Sequence, residues 1–175
     1  MPHILIVYAS HDGQTEKICR TLQGVIQETG QQTTLLAIDQ AAQVDPAGFD
    51  KIVIGAAIRY GKHNPEITAF ITQNQAIIDS MPNAFFSVNL VARKPEKSSP
   101  ASNPYLQKFL KRISWKPKNL AVFAGKLDYP SYGCFDRFTI RLIMWMTQGP
   151  TDPLAVVEFT DWEQVKAFGE HIASM

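Results

Sequence analysis

The 175-residue chain has only two cysteines, Cys19 and Cys134. Two are too few for a disulfide framework, and they lack the paired spacing of a metal site, so no metal centre is expected. Cys19 falls inside a helical pattern and reads as a small buried hydrophobe. No run of 18 apolar residues occurs, so no membrane-spanning helix is expected. The first ten residues, MPHILIVYAS, have no basic flank and only a short apolar run. No secretory leader is expected from these residues, and the cytoplasm is the default expectation for the address. Neither Gly-x-x-x-x-Gly-Lys-Ser/Thr nor Gly-x-Gly-x-x-Gly is present, which excludes the usual triphosphate and dinucleotide loops.

Net charge is nearly absent too, at +1, but the balance is uneven along the chain. Between Arg93 and Arg141 eleven Lys/Arg face three Asp/Glu, and the remainder is correspondingly acidic. A basic stretch of that kind points to an anionic substrate, an acidic partner or a lipid surface, or else forms a solvated face.

Hydrophobic residues make up 45% of the chain and charged residues 19%, a globular composition. The length predicts one domain, 1–175, with a core of its own. Ile4–Tyr8, Thr33–Ile38, Ile52–Ala57, Ala84–Leu90 and Leu120–Gly125 are apolar runs that read as strands buried on both faces. Helical spacing separates them. Ile18, Leu22, Val25 and Ile26 mark a first helix stopped at Gly30, and Pro65–Asp79 forms a second. Tyr105–Ile113 is a short third helix, and Asp161 caps a terminal one carrying Trp162, Val165, Phe168 and Ile172. The alternation predicts an α/β fold with a five-stranded, doubly wound parallel sheet between two helical layers, interrupted by a long insertion at about 126–154.

In such a sheet ligands bind beyond the carboxyl ends of the strands. Three loops qualify. Ser10-His11-Asp12-Gly13-Gln14-Thr15 leads from the first strand into the first helix and contains no Lys or Arg. A helix entrance offers unpaired N–H groups and a positive dipole end, so this hydroxyl-rich loop suits one terminal phosphate. Ala57-Ile58-Arg59-Tyr60-Gly61 supplies an aromatic ring for stacking beside a glycine turn. Ser87-Val88-Asn89-Leu90 supplies backbone and amide groups for the edge of a heterocycle. A phosphate and a planar ring on one rim describe flavin mononucleotide.

Ser10-His11-Asp12-Gly13-Gln14-Thr15 matches the flavodoxin phosphate loop Ser/Thr-x-Thr/Asp-Gly-x-Thr, and the chain resembles the flavodoxins over nearly its whole length. VIGAAIRYGKHNP, SVNLVARKPEKSSP and YGCFDRFTIRLIMWMTQGPTD further resemble one branch, the quinone-dependent protoporphyrinogen IX dehydrogenases of bacteria. The resemblance implies a haem-biosynthesis enzyme with non-covalent FMN. Such an enzyme takes six electrons from protoporphyrinogen IX in three steps, passes them to menaquinone or ubiquinone, and works at the cytoplasmic face of the inner membrane. Two other flavin functions compete. An electron-carrier flavodoxin fits poorly with the basic stretch; an NAD(P)H-dependent quinone reductase needs no second fingerprint.

The substrate's two propionates call for cations, and Arg59, Arg93 and Lys94 lie in the strand-end loops; Lys97 reads as solvated charge. Among the histidines, His63 is better placed than His11 or His171, but none is assigned as a general base. Within the insertion Phe135, Phe138, Ile140, Leu142, Ile143, Met144, Trp145 and Met146 surround all of a helix except a stripe of Arg137, Arg141 and Gln148. Twelve residues span roughly 18 Å, too short to cross a bilayer. The helix can lie on an anionic membrane with Phe135, Phe138, Leu142 and Trp145 in lipid and Arg141 at the headgroups. It can also line an entrance for quinone or porphyrin, or bury itself in the protein.

Overall fold

A computed structural model describes residues 1–175. Five parallel strands form the central sheet: β1 (His3–Ala9), β2 (Gln32–Ala37), β3 (Lys51–Arg59), β5 (Asn83–Asn89) and β6 (Asn119–Ala124). They lie in the order β2-β1-β3-β5-β6, and the two-residue strand β4 (Lys62–His63) pairs antiparallel with β3. The order turns back between β1 and β3, so a crevice opens beyond their carboxyl ends.

Strand side chains alternate between two cores, as a period of two requires. Ile4 and Ile6 of β1, with Val53, Phe86 and Phe123, face helix α1 (Gln14–Glu28) and helix α6 (Trp162–Ser174). Leu5 and Val7, with Ile52, Ile54, Phe85 and Val122, face the opposite layer. That layer contains α2 (Ile38–Ala41), α3 (Pro65–Ser80) and α4 (Pro104–Arg112). Ile18, Leu22 and Ile26 of α1 are fully buried, each stabilising the fold by about 1.5–3 kcal/mol. Asp161 caps α6 by accepting from the N–H groups of Glu163 and Gln164, and Cys19 lies fully inside the core.

The insertion contributes strand β7 (Lys126–Asp128), helix α5 (Cys134–Met146) and strand β8 (Val156–Glu158), with β7 and β8 paired antiparallel. Leu127, Tyr129, Tyr132 and Met144 form a small separate core beneath α5. Arg137 and Arg141 both meet backbone carbonyls. Arg137 donates to the carbonyls of Tyr129 and Tyr132, and Arg141 Nε donates to the carbonyl of Thr151 at 2.7 Å. These carbonyls lie in irregular segments and take the guanidinium groups as partners. Four apolar side chains of α5 point outward: Phe135, Phe138, Trp145 and Met146 are 69–72% exposed.

Candidate functional site

The loop after β1 is built around Gly13, whose backbone is left-handed at φ 84°, a region open to glycine without strain. Its N–H donates to Ser10 Oγ at 3.1 Å. Helix α1 starts directly after it, with no side chain capping the first turn. Thr15 is buried, and its Oγ1 has no hydrogen-bond partner. A buried, unpaired hydroxyl at an uncapped helix entrance costs stability unless something else meets it. Within the loop, burial raises the pKa of Asp12; burial and the Arg59 charge lower that of His11. Both shifts favour the uncharged forms.

Gln14 is spent differently from the sequence expectation. Its Nε2 donates to Glu158 Oε1 at 2.8 Å and to Thr160 Oγ1 at 2.9 Å. Thr160 in turn donates to the carbonyl of Ala124 at 2.6 Å. The amide has two protons, and both hold the end of the insertion against α1 and β6.

The turn between β3 and β4 has only two residues, Tyr60 at φ 50° and Gly61 at φ 74°. Positive φ at both positions defines the tight hairpin turn that matches strand twist. It pairs Arg59 with Lys62 and holds Tyr60 out, 60% exposed. Asp136 on α5 fastens this hairpin to the insertion. Its carboxylate accepts from Arg59 at 3.0 Å and also from the Tyr60 hydroxyl. His11 Nδ1 accepts from Arg59 at 3.4 Å.

The loop after β5 departs most from expectation. Ser87 is fully buried and its Oγ meets His63 Nε2 at 2.8 Å. The Asn89 amide donates to Ser87 Oγ and Asn103 Oδ1 and accepts from Ala92 N and Asn103 Nδ2, at 3.0–3.2 Å. Neither side chain is free to read a ligand edge; the strand pleat turns both toward α4. His63 is also drawn inward, its ring 4.7 Å from that of Phe109, and burial lowers its pKa to about 4. Arg93 donates to the carbonyls of Leu90 and Thr147 and to Thr147 Oγ1, at 3.0–3.2 Å. Its guanidinium secures the C-terminal end of α5.

These loops enclose a cavity of about 440 Å³, within the usual range of small-molecule sites. Ser10, His11, Asp12, Gln14, Thr15, Ala57, Ile58, Arg59, Tyr60, Gly61, Val88, Asn89, Leu90 and Arg93 line it. Gly13, Ser87 and Lys94 do not. The sequence reading allowed the insertion helix to line an entrance but did not single out the residues of this opposite wall: Tyr105, Gly125 and Lys126, and Tyr132, Asp136, Thr139, Ile140, Ile143 and Met144 from α5 and its approach. The side chains of Phe135, Phe138, Arg141, Leu142 and Trp145 lie outside this lining. Helix α5 therefore separates the cavity from an exposed apolar face.

A crevice at the turning point of a parallel sheet, with an uncapped helix entrance on its rim, defines a flavodoxin-type site, and residues 5–153 match the Flavodoxin domain family. The flavodoxin of Megasphaera elsdenii, solved in its two-electron reduced form, shares the fold with a TM-score of 0.58, covering 98% of this chain and 99% of that one at 14% identity. Curated relatives match nearly the whole chain. Protoporphyrinogen IX dehydrogenase (quinone) of Escherichia coli strain K12 is 43% identical over 98% of this chain and 94% of its own. The protein of that name from Leishmania major is 37% identical over 99% of this chain and 76% of its own. The chain belongs to this family of flavodoxin-fold oxidoreductases.

Proposed function

We propose that the chain holds FMN in the 440 Å³ cavity and oxidises protoporphyrinogen IX to protoporphyrin IX, with a quinone as acceptor. The observation that carries the cofactor reading is the orphaned Thr15 hydroxyl at the uncapped start of α1. Uncharged donors there suit a phosphate monoester: Thr15 Oγ1, the N–H groups of the first turn, and the loop Ser10–Gly13. Gln14 contributes its backbone, since its amide is committed to Glu158 and Thr160.

Tyr60 supplies a stacking surface, with the backbone of Ala57–Gly61 and Val88–Leu90 along the ring. The bound flavin would supply a two-electron acceptor, chemistry the protein side chains lack. The chain's share is to orient the ring, exclude water with Ile58, Ile140, Ile143 and Met144, and keep Arg59 near the substrate. Neutral His63 braces the Ser87–Asn89 strand end and holds no proton at the reaction. Arg93 helps by fixing α5, while Lys94 is left to the solvent side.

A quinone with a long isoprenoid tail stays in lipid, so its reductase must meet the membrane. No helix is long and apolar enough to cross one. The outward face of α5, with Phe135, Phe138, Leu142 and Trp145, supports peripheral contact with the inner membrane on its cytoplasmic side. The inner face of the same helix lines the cavity, which gives a lipid-dissolved acceptor a short approach.

The test uses purified protein. It should be yellow, release its flavin in acid, be bleached anaerobically by protoporphyrinogen IX, and recover its colour with a menaquinone analogue. Protein that takes up no flavin refutes the cofactor assignment. Bleaching by NADPH and not by the porphyrinogen refutes the substrate.

A further inference from the structure

We propose that a second cleft, between the β3–β4 hairpin and α4, binds the carboxylates of the flat macrocyclic substrate through Lys62, Lys108 and Arg112. The inference rests on the proposed activity and adds the place where the substrate's acidic groups are held.

The cations lining the first cavity are already engaged. Arg59 is paired with Asp136 at 3.0 Å, and Lys126 with Asp128 at 3.2 Å. Arg93 is used by Leu90 and Thr147. A dicarboxylate entering that cavity alone would meet no free cation. The neighbouring cleft is different. It has a volume of about 1170 Å³ and shares His11, Arg59, Tyr60, Gly61 and Tyr105 with the first cavity, so a flat molecule can extend from one into the other.

Helix geometry sets the cationic wall. Tyr105, Lys108 and Arg112 are spaced by three and four residues and share one face of α4, while Leu106 is buried on the other. Lys62 stands opposite, on the hairpin. None of these three cations takes part in an ion pair, and Glu66 is the one carboxylate on the cleft wall. Unpaired lysines on a convex surface are ordinary solvated charges. Two lysines and an arginine in a concave wall concentrate the potential and draw an anion in. Tyr105, which lines both spaces, offers an aromatic surface where the macrocycle passes between them.

The flavin-loaded protein is the material for the test. Protoporphyrin IX and its dimethyl ester differ only in the two carboxylates, so their binding is compared by fluorescence in the same detergent. The diacid should bind more tightly, and added salt should weaken that preference. Lys108→Ala/Arg112→Ala should weaken diacid binding about tenfold and leave ester binding alone. In turnover with protoporphyrinogen IX the same change should fall on KM. Lys111→Ala, on the same helix but outside the cleft, serves as the control for folding and for general charge.

Equal binding of diacid and ester by the parent overturns the inference, whatever the turnover. So does a double variant whose diacid affinity matches the parent's. Failure of the activity reading looks different: the parent prefers the diacid and the double variant loses that preference, yet the porphyrinogen bleaches neither.

Discussion

His63 permits a quantitative test of how the strand end beneath the cavity is held. Its ring lies against Phe109 and Phe85, with centroids 4.7 and 5.7 Å away. Ser87 Oγ accepts from the Asn89 amide, so the Ser87 proton is free to point at His63 Nε2, which then accepts. The imidazole is a neutral acceptor in this arrangement, and burial is the cause that lowers its pKa from 6.5 to about 4. The sign follows from proton uptake. As pH falls through the unfolded value the unfolded chain gains a proton that the folded chain refuses, so stability falls across the window from 6.5 to about 4. At pH ~7 the penalty is slight; at pH ~5 it is about 2 kcal/mol, and its limit in stronger acid is about 3 kcal/mol. For a domain of ordinary stability that is a large fraction of the total. Urea unfolding of the parent and of His63→Gln at the two pH values isolates the effect, because other titrating groups are common to both. His63→Gln should be less stable at pH ~7, having lost a packed ring, but should lose about 2 kcal/mol less than the parent on acidification. Equal losses would refute a buried, neutral His63.

Three other substitutions probe the site and its wall. Thr15→Val removes the orphaned hydroxyl: flavin-free protein should gain about 1 kcal/mol in urea unfolding, while FMN affinity falls about tenfold and riboflavin affinity holds. Equal effects on FMN and riboflavin would separate Thr15 from the phosphate. Arg93→Met strands the carbonyls of Leu90 and Thr147 and should cost about 2 kcal/mol, with faster amide exchange at residues 143–149; unchanged exchange would free α5 from that anchor. Phe138→Glu should weaken flotation with phosphatidylglycerol vesicles about tenfold, the value of one buried aromatic ring, and undiminished flotation would remove α5 from the membrane contact.

The sheet was legible because its strands are continuous apolar runs bounded by turn residues, and only parallel strands buried on both faces need them. Helices α1, α3, α4 and α6 announce themselves by period, by Pro65 and by Asp161. The cavity's loops follow from topology alone. What stayed hidden is the set of partners. Gln14, Ser87 and Asn89 carry the chemistry of ligand contacts, yet their amides and hydroxyls meet Glu158, Thr160, His63 and Asn103, residues brought near only by folding. The β3–β4 hairpin is also silent in sequence, since an aromatic residue occupies the first turn position where Asn or Asp usually signals positive φ. Helix α5 could be recognised but not oriented. Its period gives a wide apolar face, and only the contacts of Arg137 and Arg141 reveal which side is inward.

That orientation inverts the usual rule for a helix on a water-facing surface. Rolling α5 to bury Phe135, Phe138, Trp145 and Met146 would gain about 1.5–3 kcal/mol for each side chain. The chain forgoes this because both ends of the helix are fixed by polar bonds. Near its start Asp136 holds Arg59 and Tyr60, and just past its end Thr147 holds Arg93. Between them Met144 drops into the small core with Tyr129 and Tyr132. Each fastening joins the insertion to a loop at the cavity rim, so the contacts that wall the cavity also hold the aromatic side chains outward. A soluble carrier would gain nothing from such an arrangement. Under the proposed function, with an acceptor dissolved in lipid, this one helix would supply both a wall of the cavity and a surface for the membrane.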